Sequence, residues 1–112
     1  MTIVRVRRSV EREMERAGEA RKEGNEGMAR VCARRAAGAA VGHWMLTHPL
    51  ARAGADAMSR LRAFSLAAAV PPDVRQAAER LCARVTGDFT APFPVDPLAD
   101  ARSIAQFCLQ EG

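Results

Sequence analysis

The chain has 112 residues, enough for one domain with a modest core, and 48% of them are hydrophobic, including 23 alanines and one tryptophan but no tyrosine. This composition favours helices over strands, which draw on β-branched and aromatic residues, and three widely spaced cysteines exclude a disulfide scaffold. A net charge of +4, built from 16 arginines, one lysine and 13 acidic residues, raises nucleic acid as a partner, although arginine-for-lysine and alanine-rich usage also follows from a GC-rich bacterial genome.

Residues 3–23 read as the first helix, because Ile3, Val6, Val10, Met14, Ala17 and Ala20 recur at helical spacing. Its other faces alternate in sign, with Arg8 and Glu11, Arg12 and Glu15, and Glu13 and Arg16 at i, i+3, which is the pattern of a solvated face. Gly24-Asn25 closes it, since both residue types tolerate the left-handed conformation. Next comes the central element, Met28 to Leu46, MARVCARRAAGAAVGHWML. Met28, Cys32, Arg35, Ala39, His43 and Leu46 form one stripe, expected to press on the core. Ala37, Val41 and Trp44 follow Arg30 and Arg34 on the opposite face. Gly38 and Gly42 lie one turn apart, and each costs about 1 kcal/mol relative to alanine in a helix interior, which implies a neighbour passing close to the backbone. The uncharged run from Ala36 to Leu46 is 11 residues long, against the roughly 20 of a membrane span.

Thr47-His48-Pro49 ends this helix, because proline pushes the preceding residue out of α conformation. A third helix is expected from Leu50 to about Ala69, with Ala53, Ala57, Leu61, Phe64 and Ala68 inward. A fourth runs from Pro72 to about Thr86, with Val74, Ala77, Leu81 and Val85 inward. GDFTAPFPV, residues 87–95, reads as a loop that anchors Phe89 and Phe93 on the bundle. Asp96-Pro97 opens a fifth helix with a capping residue and a proline at the first position, and Asp100 falls in its first turn. The expected architecture is a single all-α domain over residues 1–112, a mainly antiparallel four-to-five-helix bundle. Cys32, Cys82 and Cys108 fall on or beside the apolar stripes and read as reduced core residues of a cytoplasmic protein. The opening MTIVRVRR lacks the apolar segment of a secretion signal.

No glycine-rich phosphate loop and no zinc or calcium ligand spacing occurs, so neither a metal nor a cofactor is expected. Ser9, Ser59, Ser65 and Ser103 are isolated from any nucleophile context. Arg35 and His43, about two turns apart on one stripe, either line a ligand pocket or are a snorkelling arginine and a hydrogen-bonded core histidine. Arg30, Arg34 and Arg35 are candidate phosphate contacts, without base-stacking aromatics beside them. The charge is uneven: residues 1–70 carry 13 basic and 7 acidic side chains, net +6, and residues 71–112 carry 4 and 6, net −2. Ala37, Val41 and Trp44, apolar and away from the expected core stripe, suggest the interface of a two-fold homodimer.

The long first helix, the Gly24-Asn25 turn, the alanine-rich ARVCARRAAGAA, and the pair VRQAAERLCARV and PLADARSIAQFC around an aromatic-proline loop together resemble the HEPN family over nearly the whole chain. That family comprises prokaryotic four-to-five-helix bundles, among them toxin ribonucleases and partners of minimal nucleotidyltransferases. In its catalytic members, an arginine followed by four to six residues and a histidine cleaves RNA in a dimer. Here the required arginine slots hold Ala36, Ala37 and Gly38 before His43, and Val41, Gly42 and His43 before His48. Arg84 stands where the family's arginine is expected, but RVTGDFTAPF supplies no histidine after it, and Arg35 is separated from His43 by seven residues. The resemblance therefore implies a non-catalytic binding or assembly module, forming a homodimer or engaging a nucleotidyltransferase-type protein, with Arg35, His43 and Arg84 as ligand candidates. The alternatives are an RNA- or nucleotide-binding protein and a divergent metal-independent ribonuclease.

Overall fold

The computed structural model describes residues 3–51, 53–83 and 96–110. Five helices follow in order: α1 (Ile3–Lys22), α2 (Glu26–Trp44), α3 (Ala57–Ser65), α4 (Pro72–Cys82) and α5 (Pro97–Cys108), with no strand among the described residues. The chain is an all-α helical bundle. α1 buries Val6, Val10, Ala17 and Ala20, with Ile3 and Met14 against the same core. It closes at Gly24, whose φ of 78° is left-handed, and the Asn25 N–H returns to the Ala20 carbonyl at 2.8 Å. The Asn25 side chain then accepts from the Met28 N–H at 3.0 Å and starts α2.

α2 packs against α1, α3 and α5 and is the central helix, but it faces the opposite way from the sequence-based expectation. Of the expected core stripe only Cys32 is buried; Ala39 and His43 are half-buried, and Met28, Arg35 and Leu46 are exposed. The buried face is instead Ala29, Ala33, Ala36, Ala37, Ala40, Val41 and Trp44. Alanine explains the reversal. Its small side chain lets neighbouring helices approach on both flanks, and the longer Met28, Arg35 and Leu46 turn outward where there is room.

α3 is shorter than the expected Leu50–Ala69. Asp56 caps it by accepting from the Ser59 N–H at 2.7 Å, and it ends with Leu66 bonded back to Ala63 at 3.2 Å. The start signal is this cap; the alanines around it are equally compatible with helix and irregular chain. α3 crosses α2 where Gly38 lies, since a Cβ there would stand 2.6 Å from the Ala57 Cβ and 2.9 Å from the Ala57 Cα. The helical cost of Gly38 is thus offset by helix–helix approach. α4 begins at Pro72 as expected but ends at Cys82, with extended backbone at Ala83. Arg84, Val85 and the 87–95 stretch with Phe89 and Phe93 lie outside the described residues.

α5 opens as the sequence specifies. The Asp96 carboxylate accepts from the Leu98 and Ala99 N–H groups at 3.1 and 3.3 Å, with Pro97 in the first turn. Burial would raise the pKa of Asp96, but these bonds and the Arg21 guanidinium at 3.1 Å outweigh it and hold the carboxyl below its usual range. Asp100 does more than face the helix dipole: it is buried and takes a bidentate contact from Arg80 of α4, with distances of 2.8 to 3.2 Å. One core runs through all five helices, centred on Leu61, Phe64, Leu81, Ile104 and Val41. Trp44, Phe64 and Phe107 meet at one end, with centroids 5.3 to 6.1 Å apart. No helix among the described residues is long and apolar enough to cross a membrane.

Candidate functional site

The arginine cluster expected to contact phosphate does not form. Arg30 is only 8% exposed, and its Nη2 donates to the carbonyls of Arg80 at 2.6 Å and Ala83 at 2.9 Å. Arg34 Nε donates to the Leu81 carbonyl at 2.7 Å, and its Nη2 to that of Ala83 at 3.3 Å. Both guanidinia therefore close the C-terminal end of α4, where orphan carbonyls and the negative end of the helix dipole collect. Burial pushes both arginines below their ordinary pKa, and for Arg30 the proximity of Arg34 adds to the effect. Arg35 is exposed and borders a different depression, together with Glu19, Glu23 and Cys32. Arg84 lies outside the described residues.

The apolar surface expected at Ala37, Val41 and Trp44 is also absent. Ala37 and Val41 are fully buried and Trp44 is 7% exposed, covered by the chain's own α3 and α5. The dimer interface inferred from them is corrected accordingly: in this fold these side chains are core, because the helix presents its alanine face inward.

His43 and Arg35 share a stripe but not a pocket. His43 lines a cleft of about 570 Å³ between α1, α2 and α3, with Arg5, Ser9 and Arg12 from one side of α1 and Arg60 from α3. That volume suits a small ligand. Three arginines line the cleft, Arg5 and Arg12 exposed and Arg60 half-buried, with a serine and a histidine, and no carboxylate among the described residues does so. The ion pairs among the described residues use Arg16, Arg21 and Arg80, so Arg5, Arg12 and Arg60 have no carboxylate within 4.0 Å there. In particular, the expected Arg12–Glu15 pair is not made. Arg60 lies over Gly42, where a Cβ would stand 2.6 Å from its Nη1, and donates to the Gly38 carbonyl at 3.4 Å. The second helical glycine is thus offset by a guanidinium, which needs a residue without a side chain to reach the cleft.

A neighbouring cleft of about 390 Å³ shares His43 and Leu46 with the first and continues past His48 and Phe107. Its floor is a stack: the rings of Trp44 and His48 are 4.3 Å apart and 3° from parallel. His48 is held by contacts of its Nδ1 with Thr47 Oγ1 at 3.0 Å and the Trp44 carbonyl at 3.3 Å. His48 is exposed, as the outer ring of this stack. His43 Nδ1, in contrast, is screened from solvent and has no hydrogen-bond partner among the described residues.

Sequence reasoning missed Arg5, Ser9, Arg12 and Arg60. A signal existed in the spacing of Arg5, Ser9 and Arg12 at i, i+4 and i+7, one stripe of α1, but alternating charge made it look like an ordinary solvated face. Among the described residues there is no grouping of three His, Cys, Asp or Glu side chains suited to a metal ion. All three cysteines are free, and burial pushes the Cys108 thiol up to about 12. No family model, curated protein or solved structure matches the chain, so the HEPN-like resemblance stands on the residues quoted for it alone.

Proposed function

We propose that the chain is a non-catalytic binding module of HEPN-like type, whose working surface is the α1–α2–α3 cleft and whose ligand carries phosphate. The observation behind this reading is that Arg5, Arg12 and Arg60 line one cleft with no carboxylate among its described lining residues. Guanidinium groups match phosphate geometry and keep their charge at any physiological pH. Arg5 and Arg12 extend from α1 and Arg60 from α3, so the packed bundle fixes the backbone positions from which the three charges reach a ligand. Such a module fits the role of an assembly partner to a nucleotidyltransferase-type protein, which handles phosphate-bearing substrates.

Isothermal calorimetry with inorganic pyrophosphate at low salt tests the reading. Binding is expected, weakening as salt is added and falling at least tenfold in Arg12→Gln. No heat of binding for the native protein, or unaltered binding by Arg12→Gln, contradicts it.

A ribonuclease reading gains one observation, since His43 shares the cleft with three arginines, the pairing that metal-independent RNA cleavage needs. Two features favour binding over cleavage. One histidine supplies a single proton-transfer group, and its Nδ1 has no partner to fix the ring, where an effective base is oriented by a third group. RNA incubated with purified protein is expected to stay intact; cleavage abolished by His43→Ala would put the enzyme in place of the module.

A further inference from the structure

His43 is the side chain of the arginine cleft to which the anion reading gives no role. It is half-buried on α2 and borders both the cleft of about 570 Å³ and its neighbour of about 390 Å³. The charged and titratable side chains that face it come from every element around it: Arg5 and Arg12 of α1, Arg60 of α3, His48 just beyond α2 and Cys108 of α5. The arginines keep their charge throughout the physiological range, and burial pushes the Cys108 thiol up to about 12, so that it stays neutral. Among these groups only the two imidazoles change charge between about pH 5 and 8. His43 Nδ1 is screened from solvent and has no hydrogen-bond partner among the described residues, so no single neighbour fixes the charge of the ring and the net charge of the cleft decides it. In the free protein an imidazolium would be a fourth positive charge beside three, with no carboxylate among the described lining residues to offset them. A dianion held by the arginines reverses that balance, and the imidazolium becomes the favoured form.

We propose that the cleft takes up its anion together with a proton, and that His43, as imidazolium, is the fourth cation of the seat. This rests on the anion-binding reading above and adds to it a proton linkage, which three arginines alone do not supply. Because coupling between two sites is reciprocal, the anion binds more tightly as pH falls through the range in which the imidazole charges, and binding draws a proton from the buffer. The cleft therefore holds its ligand more firmly in mildly acidic than in mildly alkaline solution, without any change of fold.

The test uses the full chain and sulfate as the probe, because sulfate keeps its double charge across this range whereas phosphate and pyrophosphate gain protons of their own. In calorimetry at fixed low ionic strength, sulfate is expected to bind about fivefold or more tightly at about pH 6 than at about pH 8, the lower end of ordinary coupling between two sites. Repeated at about pH 7 in buffers of different ionisation enthalpy, the binding heat should report a fraction of one proton taken up per sulfate. His43→Gln should flatten the pH profile while holding affinity at about pH 8, where the native ring is neutral, to within about twofold of the native value. His48→Gln, at the exposed ring, should leave the profile as it is, and Arg12→Gln should weaken sulfate at both pH values. Equal affinity at the two pH values without proton uptake, or a profile that survives His43→Gln or is lost in His48→Gln, overturns the proton linkage and leaves the anion cleft standing. If sulfate binds at neither pH, both readings fall.

Discussion

Arg30 and Arg35 differ by five positions and carry the same side chain, yet the fold gives them opposite roles. Arg30 spans from α2 to the last carbonyls of α4, and Arg80, whose carbonyl it binds, reaches on to Asp100 of α5. Two guanidinium groups in relay, the buried one of Arg30 and that of Arg80, therefore tie three helices through charge-assisted bonds. Arg30→Ala should lower stability by about 2–3 kcal/mol, because it removes two charge-assisted bonds and the packing of a buried side chain. Arg35→Ala, at an exposed side chain, should stay within about 0.5 kcal/mol of the native protein. Denaturant unfolding of the two variants checks this, and equal losses would refute the assigned division. Nothing in the sequence separates the two arginines, since partnership with α4 depends on which face of α2 the alanines bring inward. The Asp96 cap, by contrast, was legible, because a cap is a local arrangement of one side chain and the next three N–H groups.

At the scale of elements, the end of α1, the start of α4 and the start of α5 follow from punctuation in the chain: Gly24-Asn25, Pro71-Pro72 and Asp96-Pro97. A third helix burying Leu61 and Phe64 was legible, but its extent and the facing of α2 were not, for one shared reason. Alanine is apolar enough to fit a core stripe and small enough to fit a surface, so an alanine-rich segment shows helical periodicity on several faces at once. The glycines were more informative than the alanines around them. Both imply close approach, and the structure distinguishes the neighbours: the Ala57 backbone at Gly38 and the end of the Arg60 side chain at Gly42. Gly38→Ala should therefore destabilise the fold by about 1–3 kcal/mol through overpacking, despite alanine's better helix propensity. Gly42→Ala should hold stability or raise it by up to about 1 kcal/mol, since a flexible guanidinium can move aside. The displaced Arg60 should nevertheless weaken pyrophosphate binding severalfold. Thermal melts and calorimetry on the two variants measure both effects, and a reversed order of stabilities would contradict the seam described for α2 and α3.

For the whole molecule, the uneven net charge does not by itself point to one surface. Residues 1–70 hold the basic excess, but the fold draws Arg30 and Arg34 inward and ties Arg16 and Arg21 to carboxylates. Arg5, Arg12 and Arg60 come together only because α1 and α3 flank the same stretch of α2. A cleft lined from residues 5 to 60 along the chain leaves only the Arg5, Ser9 and Arg12 stripe as a local trace, which is why the sequence directs attention to the closely spaced Arg30, Arg34 and Arg35 instead. The measurement that separates these two locations most directly is a backbone amide NMR map of pyrophosphate binding at low salt. Shifts concentrated at residues 5–12, 39–46 and around Arg60, with residues 30–35 unmoved, are the result expected here; shifts centred on residues 30–35, or none at all, would contradict the assignment of the cleft.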